Sequence, residues 1–180
     1  MSMTLPPALL SKYPTSVFVE TGTAGGCGVQ VALDAGYKDI RSIELMEGCY
    51  EYSMDRFYGC PYVKLYFGHS GGLQFAQMIA DITVPATFWL DAHSDFQDGE
   101  YDGGAPLLDE LAIIARHPIK THVLLLDDMR LCGKGNWRII TKEKLTAVIK
   151  AINPLYVIEY VDSKLRMPED ILVAHVPVEE

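Results

Sequence analysis

Short apolar segments alternate with segments of helical periodicity along the whole chain, and this alternation constrains the fold more than any other feature. Several of these segments are apolar almost throughout, which is typical of strands covered on both faces. The segments between them place apolar residues at helical spacing and end at glycine or proline signals. The predicted strands are 16–20, 40–45, 62–67, 86–91, 122–127, 155–161 and 171–176, and the predicted helices are 28–35, 47–58, 72–82, one that opens at Pro106 and ends before Pro118, and one from Thr141 to Asn153.

A strand followed by a helix five times over predicts βαβ units and a mostly parallel sheet. Right-handed crossovers then favour a doubly wound, Rossmann-like α/β fold of about seven strands, in a single domain spanning 1–180. The last two predicted strands are too close in sequence for a helical crossover, so we expect an antiparallel pair that closes the sheet. Ligands bind such sheets at the carboxyl ends of the strands.

Charge and hydropathy exclude two classes of partner. The 180 residues carry 15 Lys and Arg against 24 Asp and Glu, a formal charge of −9, which repels the phosphates of nucleic acids. No apolar segment is long enough to span a bilayer, and the N-terminus lacks the features of a secretory signal. We therefore expect a cytoplasmic protein that acts on neither nucleic acid nor membrane.

Four glycines lie within residues 22–28, directly after the first predicted strand. Glycine lets the backbone turn tightly and approach a ligand closely, and the following helix directs free N–H groups into the same space. A strand–helix turn without a ligand is the alternative. The pattern departs from the nicotinamide dinucleotide motif, because Val31 stands where that motif needs glycine or alanine.

An acidic residue, Glu44, ends the second predicted strand. A carboxylate at this point can accept hydrogen bonds from both hydroxyls of a ribose. Alone, it is equally consistent with a solvated strand end. Its position after the glycine segment favours the ribose role.

Carboxylates also follow the fourth and fifth predicted strands, at Asp91 and at the adjacent pair Asp127 and Asp128. If these strands are neighbours, about 4.8 Å apart, the carboxylates repel by about 4 kcal/mol at an effective dielectric of 20. A divalent cation, Arg130, Lys134 or a raised pKa would offset this repulsion. Oxygen ligands in this number suit Mg²⁺, Mn²⁺ or Ca²⁺, which makes the three aspartates candidate metal ligands. The alternative is an acidic pair that only caps backbone.

Two histidines lie at predicted strand ends, His93 after the fourth strand and His69 after the third. A neutral imidazole there can remove a proton from a hydroxyl group. We interpret His93 as the candidate catalytic base, with Asp91 beside it, whereas a structural role fits His69 equally well. The polar segment 94–106 predicts a loop over the site.

These features together resemble the class I S-adenosylmethionine-dependent methyltransferases over nearly the whole chain. Glu20 and the glycine segment match the family's first motif, whose loop cradles the methionine part of the cofactor, and Glu44 matches the carboxylate that holds the ribose. Residues 68–70 fall where the family contacts adenine, although His69 replaces an acidic residue there. The resemblance implies S-adenosylmethionine as cofactor, a small-molecule acceptor and methyltransferase activity. The cofactor-binding residues that it implies are Glu20, Gly22, Thr23, Ala24, Gly26, Gly28, Glu44, Leu45, His69, Ser70 and Asp91.

Asp91 with Asp127 and Asp128 is also similar to the metal-dependent O-methyltransferases. In those enzymes an aspartate after strand four and an acidic pair after strand five bind Mg²⁺, and the metal holds a substrate oxygen beside the methyl group. The catechol type carries a lysine base three residues after the first aspartate. Ser94 stands there in this chain, so His93 is the candidate base. The resemblance implies O-methylation of a small molecule with the assistance of Mg²⁺ or Mn²⁺.

Residues 89–95 resemble a metal-binding segment of the arginase-type ureohydrolases as well. There the residues matching Asp91, His93 and Asp95 bridge two Mn²⁺ ions and activate water. Those enzymes need a further Asp-x-Asp ligand pair, and the glycine segment and Glu44 would have no role. A two-metal hydrolase is therefore the second hypothesis, and a cofactor-binding module without chemistry is the third.

Overall fold

The computed structural model describes residues 5–93, 105–165 and 167–177, and these residues form one seven-stranded sheet with helices on both faces. The strands are β1 (Val17–Thr21), β2 (Asp39–Glu44), β3 (Val63–Phe67), β4 (Ala86–Leu90), β5 (Val123–Leu126), β6 (Val157–Val161) and β7 (Ile171–His175). The helices are α1 (Pro7–Lys12), α2 (Cys27–Asp34), α3 (Glu47–Arg56), α4 (Leu73–Ile79), α5 (Leu107–Arg116) and α6 (Lys142–Ile152), with 3₁₀ turns at Met129–Leu131 and Gly135–Trp137.

The strand order is β3-β2-β1-β4-β5-β7-β6. β1 pairs in parallel with both β2 and β4, and β7 runs antiparallel to its neighbours β5 and β6. The predicted doubly wound, Rossmann-like sheet and its antiparallel closing pair are confirmed. Because the chain winds outward in both directions from β1 and β4, the switch point of the topology lies between these two strands, where an open α/β sheet binds its ligands.

Alternation of side chains along each strand builds one apolar core on each face of the sheet. Val19, Phe88 and Leu124 pack under α4, α5 and α6, whereas Phe18 and Trp89 pack under α1 and α2. All five are essentially inaccessible to solvent. Among the described helices, none has the length and apolarity needed to cross a membrane.

Helix ends follow local signals that the sequence carries. Thr141 caps α6, since its hydroxyl oxygen accepts a hydrogen bond from the Lys144 N–H at 3.1 Å. Pro106 precedes the first residue of α5, and the helix stops before Pro118. The sequence analysis did not predict α1, because six residues give too little periodicity to recognise. α1 forms because Leu9 is buried against the sheet.

A buried pair of histidines joins the end of α5 to the start of β4. Ala86 donates its N–H to Nδ1 of His122 at 3.1 Å, which leaves Nε2 of His122 as the donor to Nδ1 of His117 at 2.9 Å. His117 in turn donates to the Ile79 carbonyl oxygen at 3.2 Å. This chain of hydrogen bonds requires both rings to be neutral, and burial lowers the pKa of His122 to about 3.

Acidification is expected to weaken the fold through His122. The unfolded ring binds a proton below about pH 6.5, whereas the folded ring stays neutral down to its pKa of about 3. Its stabilisation is therefore complete above pH 6.5 and is lost as the pH falls, with a slope of at most about 1.4 kcal/mol per pH unit. Urea unfolding at about pH 7.5 and about pH 5 measures this slope.

His122→Asn is the matched variant for this measurement, because it keeps an acceptor for the Ala86 N–H but does not titrate. Its free energy of unfolding should fall less steeply with acidification than that of the wild type. The difference between the two proteins removes the contribution of other titrating groups. Equal slopes in both proteins would contradict the role given to His122.

Candidate active site at the carboxyl ends of the strands

Glu20, near the end of β1, is buried beneath the glycine turn. It is 2% exposed and accepts a hydrogen bond from the Ser42 hydroxyl at 2.6 Å. The Thr23 hydroxyl, 2.6 Å from Ser42, completes a chain of three buried side chains that ties β1, its turn and β2 together. Burial raises the pKa of Glu20 to about 8, and the Glu44 charge adds to this effect.

Two glycines of the turn are required by contacts within the protein. A side-chain carbon at Gly22 would lie 2.5 Å from the Asp91 carbonyl oxygen, so only glycine lets the turn pack against the end of β4. A carbon at Gly28 would lie 1.9 Å from Oε1 of Glu20. The turn therefore packs directly against the switch point of the sheet, and its glycines leave room for Asp91 and Glu20.

Helix α3 holds the other side of the same turn. Gly26 has a left-handed backbone, with φ 74°, and a side-chain carbon there would lie 2.4 Å from the Phe57 ring. The Ser53 hydroxyl donates a hydrogen bond to the Ala24 carbonyl oxygen at 2.9 Å, and Ala24 itself has φ 45°. The backbone of the turn is thus fixed before any ligand binds.

Replacing Gly28 with alanine is expected to lower the free energy of unfolding by about 1–3 kcal/mol, because the new methyl group overlaps the Glu20 carboxyl. In a Glu20→Ala background the same change should cost much less. The coupling energy of this double-mutant cycle measures the contact. Gly48→Ala is the control, since a carbon there meets nothing within 4 Å. A cycle without coupling would contradict this packing.

Glu44, at the end of β2, holds the turn through its carboxylate. Oε2 accepts the Ala24 N–H at 2.7 Å and Oε1 accepts the Met46 N–H at 2.8 Å. Each carboxylate oxygen keeps a second lone pair, so hydrogen bonds to a ribose would add to these contacts without replacing them. Leu45 follows, half-buried, at the same edge of the sheet.

The segment after β3 is engaged within the protein. Nδ1 of His69 accepts the Gly71 N–H at 3.1 Å, so this ring caps its own turn. The Ser70 side chain is buried and hydrogen-bonds to the Glu110 carboxyl. The hydrogen bond from Gly71 supports the structural role considered for His69.

His93 is held between the acids that follow β4 and β5. Its Nε2 lies 2.7 Å from Oδ2 of Asp128, and its Nδ1 lies 3.7 Å from Oδ1 of Asp91. The Trp137 ring packs edge-on against the imidazole with centroids 5.7 Å apart. Because β4 and β5 are neighbours, Asp91 lies close to Asp127 and Asp128, as predicted, whereas the contact of His93 with Asp128 was not predicted.

Raised pKa values of the aspartates reduce the negative charge of this cluster. The pKa of Asp91 lies well above its ordinary value, because burial and the charges of Asp127, Asp128 and Glu20 all disfavour its ionised form. Burial also raises the pKa of Asp128, although His93 and Arg130 oppose this shift.

Arg130 is the cation that pairs with the buried acids near the end of β5. It forms ion pairs with Asp128 and with the fully buried Asp170, the latter at 2.6 Å. Lys134, the other candidate cation, donates instead to the Arg130 carbonyl oxygen at 2.8 Å. A guanidinium group therefore supplies the charge balance that the sequence analysis required.

Two groups of side chains have the geometry of metal ligands in the described part of the chain. The ligand atoms of Asp91, His93 and Asp128 lie within 4.8 Å of one another, as do those of Asp127, Asp128 and Asp170. The three predicted ligands do not form one group, because Asp127 belongs only to the second group, with Asp128 and Asp170. The second group already holds a guanidinium ion, whereas the first offers two carboxylates and an imidazole, a donor set that suits Mn²⁺ better than Mg²⁺.

Sequence reasoning missed Glu110, Asp170 and Trp137. Glu110 lies on the buried stripe of α5 with Leu107 and Leu111, and is 1% exposed. An acid at helical spacing within an apolar stripe was a readable signal for this residue. Asp95 of the ureohydrolase motif and most of the predicted loop 94–106 lie outside the described residues.

No family model and no curated protein matches the chain, whereas many solved structures share its fold. One is S-adenosylmethionine-bound CalS10 from Micromonospora echinaspora, an amino pentose methyltransferase of calicheamicin biosynthesis. It is 15% identical with a TM-score of 0.62, over 98% of this chain and 92% of that one.

Two further solved structures match the chain with similar sequence identity and TM-score. An O-methyltransferase from Bacillus cereus in complex with S-adenosylhomocysteine is 12% identical with a TM-score of 0.58, over 95% of this chain and 78% of that one. A methyltransferase from Aquifex aeolicus that depends on S-adenosylmethionine is 12% identical with a TM-score of 0.57, over 96% and 89% of the two chains. The chain thus has the fold of the S-adenosylmethionine-dependent methyltransferases, the family that its sequence resembles.

Proposed function

We propose that the chain transfers a methyl group from S-adenosylmethionine to an oxygen of a small acceptor. The observation that carries the proposal is the position of His93, which is held by Asp128 and faces Asp91 at the switch point of a methyltransferase fold. Support for a small acceptor comes from one neighbour, an amino pentose methyltransferase, and from the charge of −9, which disfavours nucleic acid.

The residues around the switch point fit the proposed cofactor. Glu20, Glu44 and Asp91 bring carboxyl groups to the ends of three adjacent strands, and a cationic sulfonium nucleoside would offset their mutual repulsion. When bound, S-adenosylmethionine supplies an electrophilic methyl group. The Glu44 oxygens would accept the ribose hydroxyls, and the fixed Gly22 turn would exclude water from one side.

His93 is the base in this proposal. In this role His93 would carry its proton on Nε2, 2.7 Å from the Asp128 carboxylate, and its lone pair on Nδ1, on the side of Asp91. Nδ1 would take the proton of the acceptor hydroxyl, and Asp128 would stabilise the imidazolium that forms. Holding the acceptor in line can contribute about 7–11 kcal/mol, and the base adds about 10²–10⁴-fold in rate.

A divalent metal fits the same residues only in an alternative arrangement. Asp91, His93 and Asp128 would be its ligands, and the direct contact between His93 and Asp128 would then be lost. The metal would supply a Lewis acid that lowers the pKa of the acceptor hydroxyl. His93 can be either base or ligand, and metal removal distinguishes these roles.

Metal removal is expected to leave the binding of S-adenosylhomocysteine nearly unchanged, because Glu44 and the glycine turn do not belong to the metal group. The ligand at 100 times its dissociation constant should raise the free energy of unfolding by about 2.7 kcal/mol with or without EDTA. NAD serves as the control nucleotide. Loss of this stabilisation in EDTA would contradict the separation of the two sites.

Turnover by EDTA-treated protein decides the role of the metal. Methylated products from a panel of small hydroxyl compounds are measured by mass spectrometry, with and without added Mn²⁺. Full activity without metal assigns His93 as the base, and activity restored only by Mn²⁺ assigns it as a ligand. Cofactor binding without any product across a broad panel would instead support a module without chemistry.

A further inference from the structure

A small crevice opens between the end of β4 and the first turn of α5. It has room for one group about the size of a water molecule, and its walls include Asp91, His93, Leu107, Glu110 and Trp137. Pockets that enclose drug-sized ligands are far larger, so only the polar end of a small molecule could enter this crevice. It adjoins the imidazole that the proposed function uses as its base.

Burial of the Glu110 carboxyl group on this wall of the crevice is energetically unfavourable. It is 1% exposed, and its Oε1 atom has no hydrogen-bond partner among the described residues. Thr21 and Ser70 hydrogen-bond to the carboxyl group and so satisfy only part of it. A buried oxygen without a partner destabilises a fold, and an apolar residue here would continue the stripe of Leu107 and Leu111. A ligand that donates a hydrogen bond to Oε1 would supply the missing partner.

The charge of the crevice indicates the chemistry of that donor. Glu110 and Asp91 are acidic, and none of the described residues that line the crevice is a lysine or an arginine. Arg130, the cation of the neighbouring cluster, is already paired with Asp128 and Asp170. A positively charged donor would offset the carboxyl groups of the crevice.

We propose that this crevice binds the ammonium group of the acceptor, with Glu110 as its hydrogen-bond acceptor and specificity-determining residue. The acceptor would then be a small molecule that carries an amine beside the hydroxyl group that is methylated. This second statement rests on the proposed function, whereas the recognition of an ammonium group by Glu110 does not.

Fluorine NMR tests the binding of the ammonium group directly. The chain has two tryptophans, so protein labelled with 5-fluorotryptophan gives one signal from the crevice, at Trp137, and one from the buried Trp89. Titration with n-propylammonium chloride should shift the Trp137 signal saturably, and propan-1-ol should not. Glu110→Gln should weaken the binding of n-propylammonium at least tenfold.

Glu143→Gln is the control, because it removes the same charge from an exposed position on α6. It should bind n-propylammonium as the wild type does. Glu110→Leu provides a second variant that removes the acceptor while keeping a side chain suited to the apolar stripe, and it should also lose the binding. Equal shifts with the amine and the alcohol, or wild-type affinity in both Glu110 variants, would overturn the proposal.

Binding of S-adenosylhomocysteine to the same samples separates this inference from the proposed function. Glu110-dependent binding of n-propylammonium without any binding of the nucleoside would support the ammonium site and contradict the methyltransferase. Nucleoside binding with no preference for the amine over the alcohol would contradict only the ammonium site.

Discussion

Replacing His93 with alanine is expected to lower kcat for methyl transfer by about 10²–10⁴-fold, which is the usual contribution of a general base. The dissociation constant of S-adenosylhomocysteine should change little, because Glu44 and the glycine turn are left intact. Asp128→Asn should also lower kcat, since the Asp128 carboxylate, 2.7 Å from Nε2, would favour the tautomer with the lone pair of His93 on Nδ1.

His175→Ala is the matched control for this prediction. His175 lies at the end of β7, with Glu159 as its acidic neighbour, and has no part in the site. Its kcat should equal that of the wild type. A His93→Ala protein that binds S-adenosylhomocysteine and turns over at the wild-type rate would show that His93 is neither base nor metal ligand.

Replacing Gly22 with alanine is expected to lower the free energy of unfolding by about 2–5 kcal/mol. The left-handed backbone, with φ 80°, contributes about 1–2 kcal/mol of this cost. Overlap with the Asp91 carbonyl oxygen at 2.5 Å and the Ala92 Cα at 2.9 Å adds about 1–3 kcal/mol, since backbone atoms cannot move aside as a flexible side chain would.

Gly36→Ala separates the two contributions to this cost. Gly36 has φ 91°, but a side-chain carbon there meets nothing within 4 Å. Urea unfolding should therefore show a loss of about 1–2 kcal/mol for Gly36→Ala and a clearly larger one for Gly22→Ala. Equal losses in the free energy of unfolding would show that a side chain at position 22 does not overlap with the end of β4.

Features that depend on strand ends could be predicted from the sequence. Periodicity located the seven strands, and parallel topology brings their carboxyl ends to one edge, so the approach of Asp91 to Asp127 and Asp128 followed from the strand order. The helix caps at Thr141 and Pro106 were equally readable, because a cap depends on residues close in sequence.

Features that depend on side-chain direction could not be predicted in the same way. Asp127 and Asp128 are adjacent in sequence, yet only Asp128, whose backbone is left-handed with φ 63°, also belongs to the group with Asp91 and His93. Nothing in the sequence indicated that Arg130 would pair with Asp170, which lies 40 residues away.

The glycines at 22–28 have a second structural reason besides the close approach of a ligand. The sequence analysis explained these glycines by close approach of a ligand. In the structure, Gly22 and Gly28 make room for the Asp91 backbone and the Glu20 carboxyl. Contacts between residues far apart in sequence supply this second reason, and no local pattern reveals them.

The most direct test of the account is a crystal structure of the chain with S-adenosylhomocysteine. We expect the ribose hydroxyls within hydrogen-bonding distance of the Glu44 carboxylate and the amino-acid tail over the turn at 22–28. Density for the nucleoside elsewhere, or a fully occupied crystal in which Glu44 contacts only Ala24 and Met46, would contradict the account.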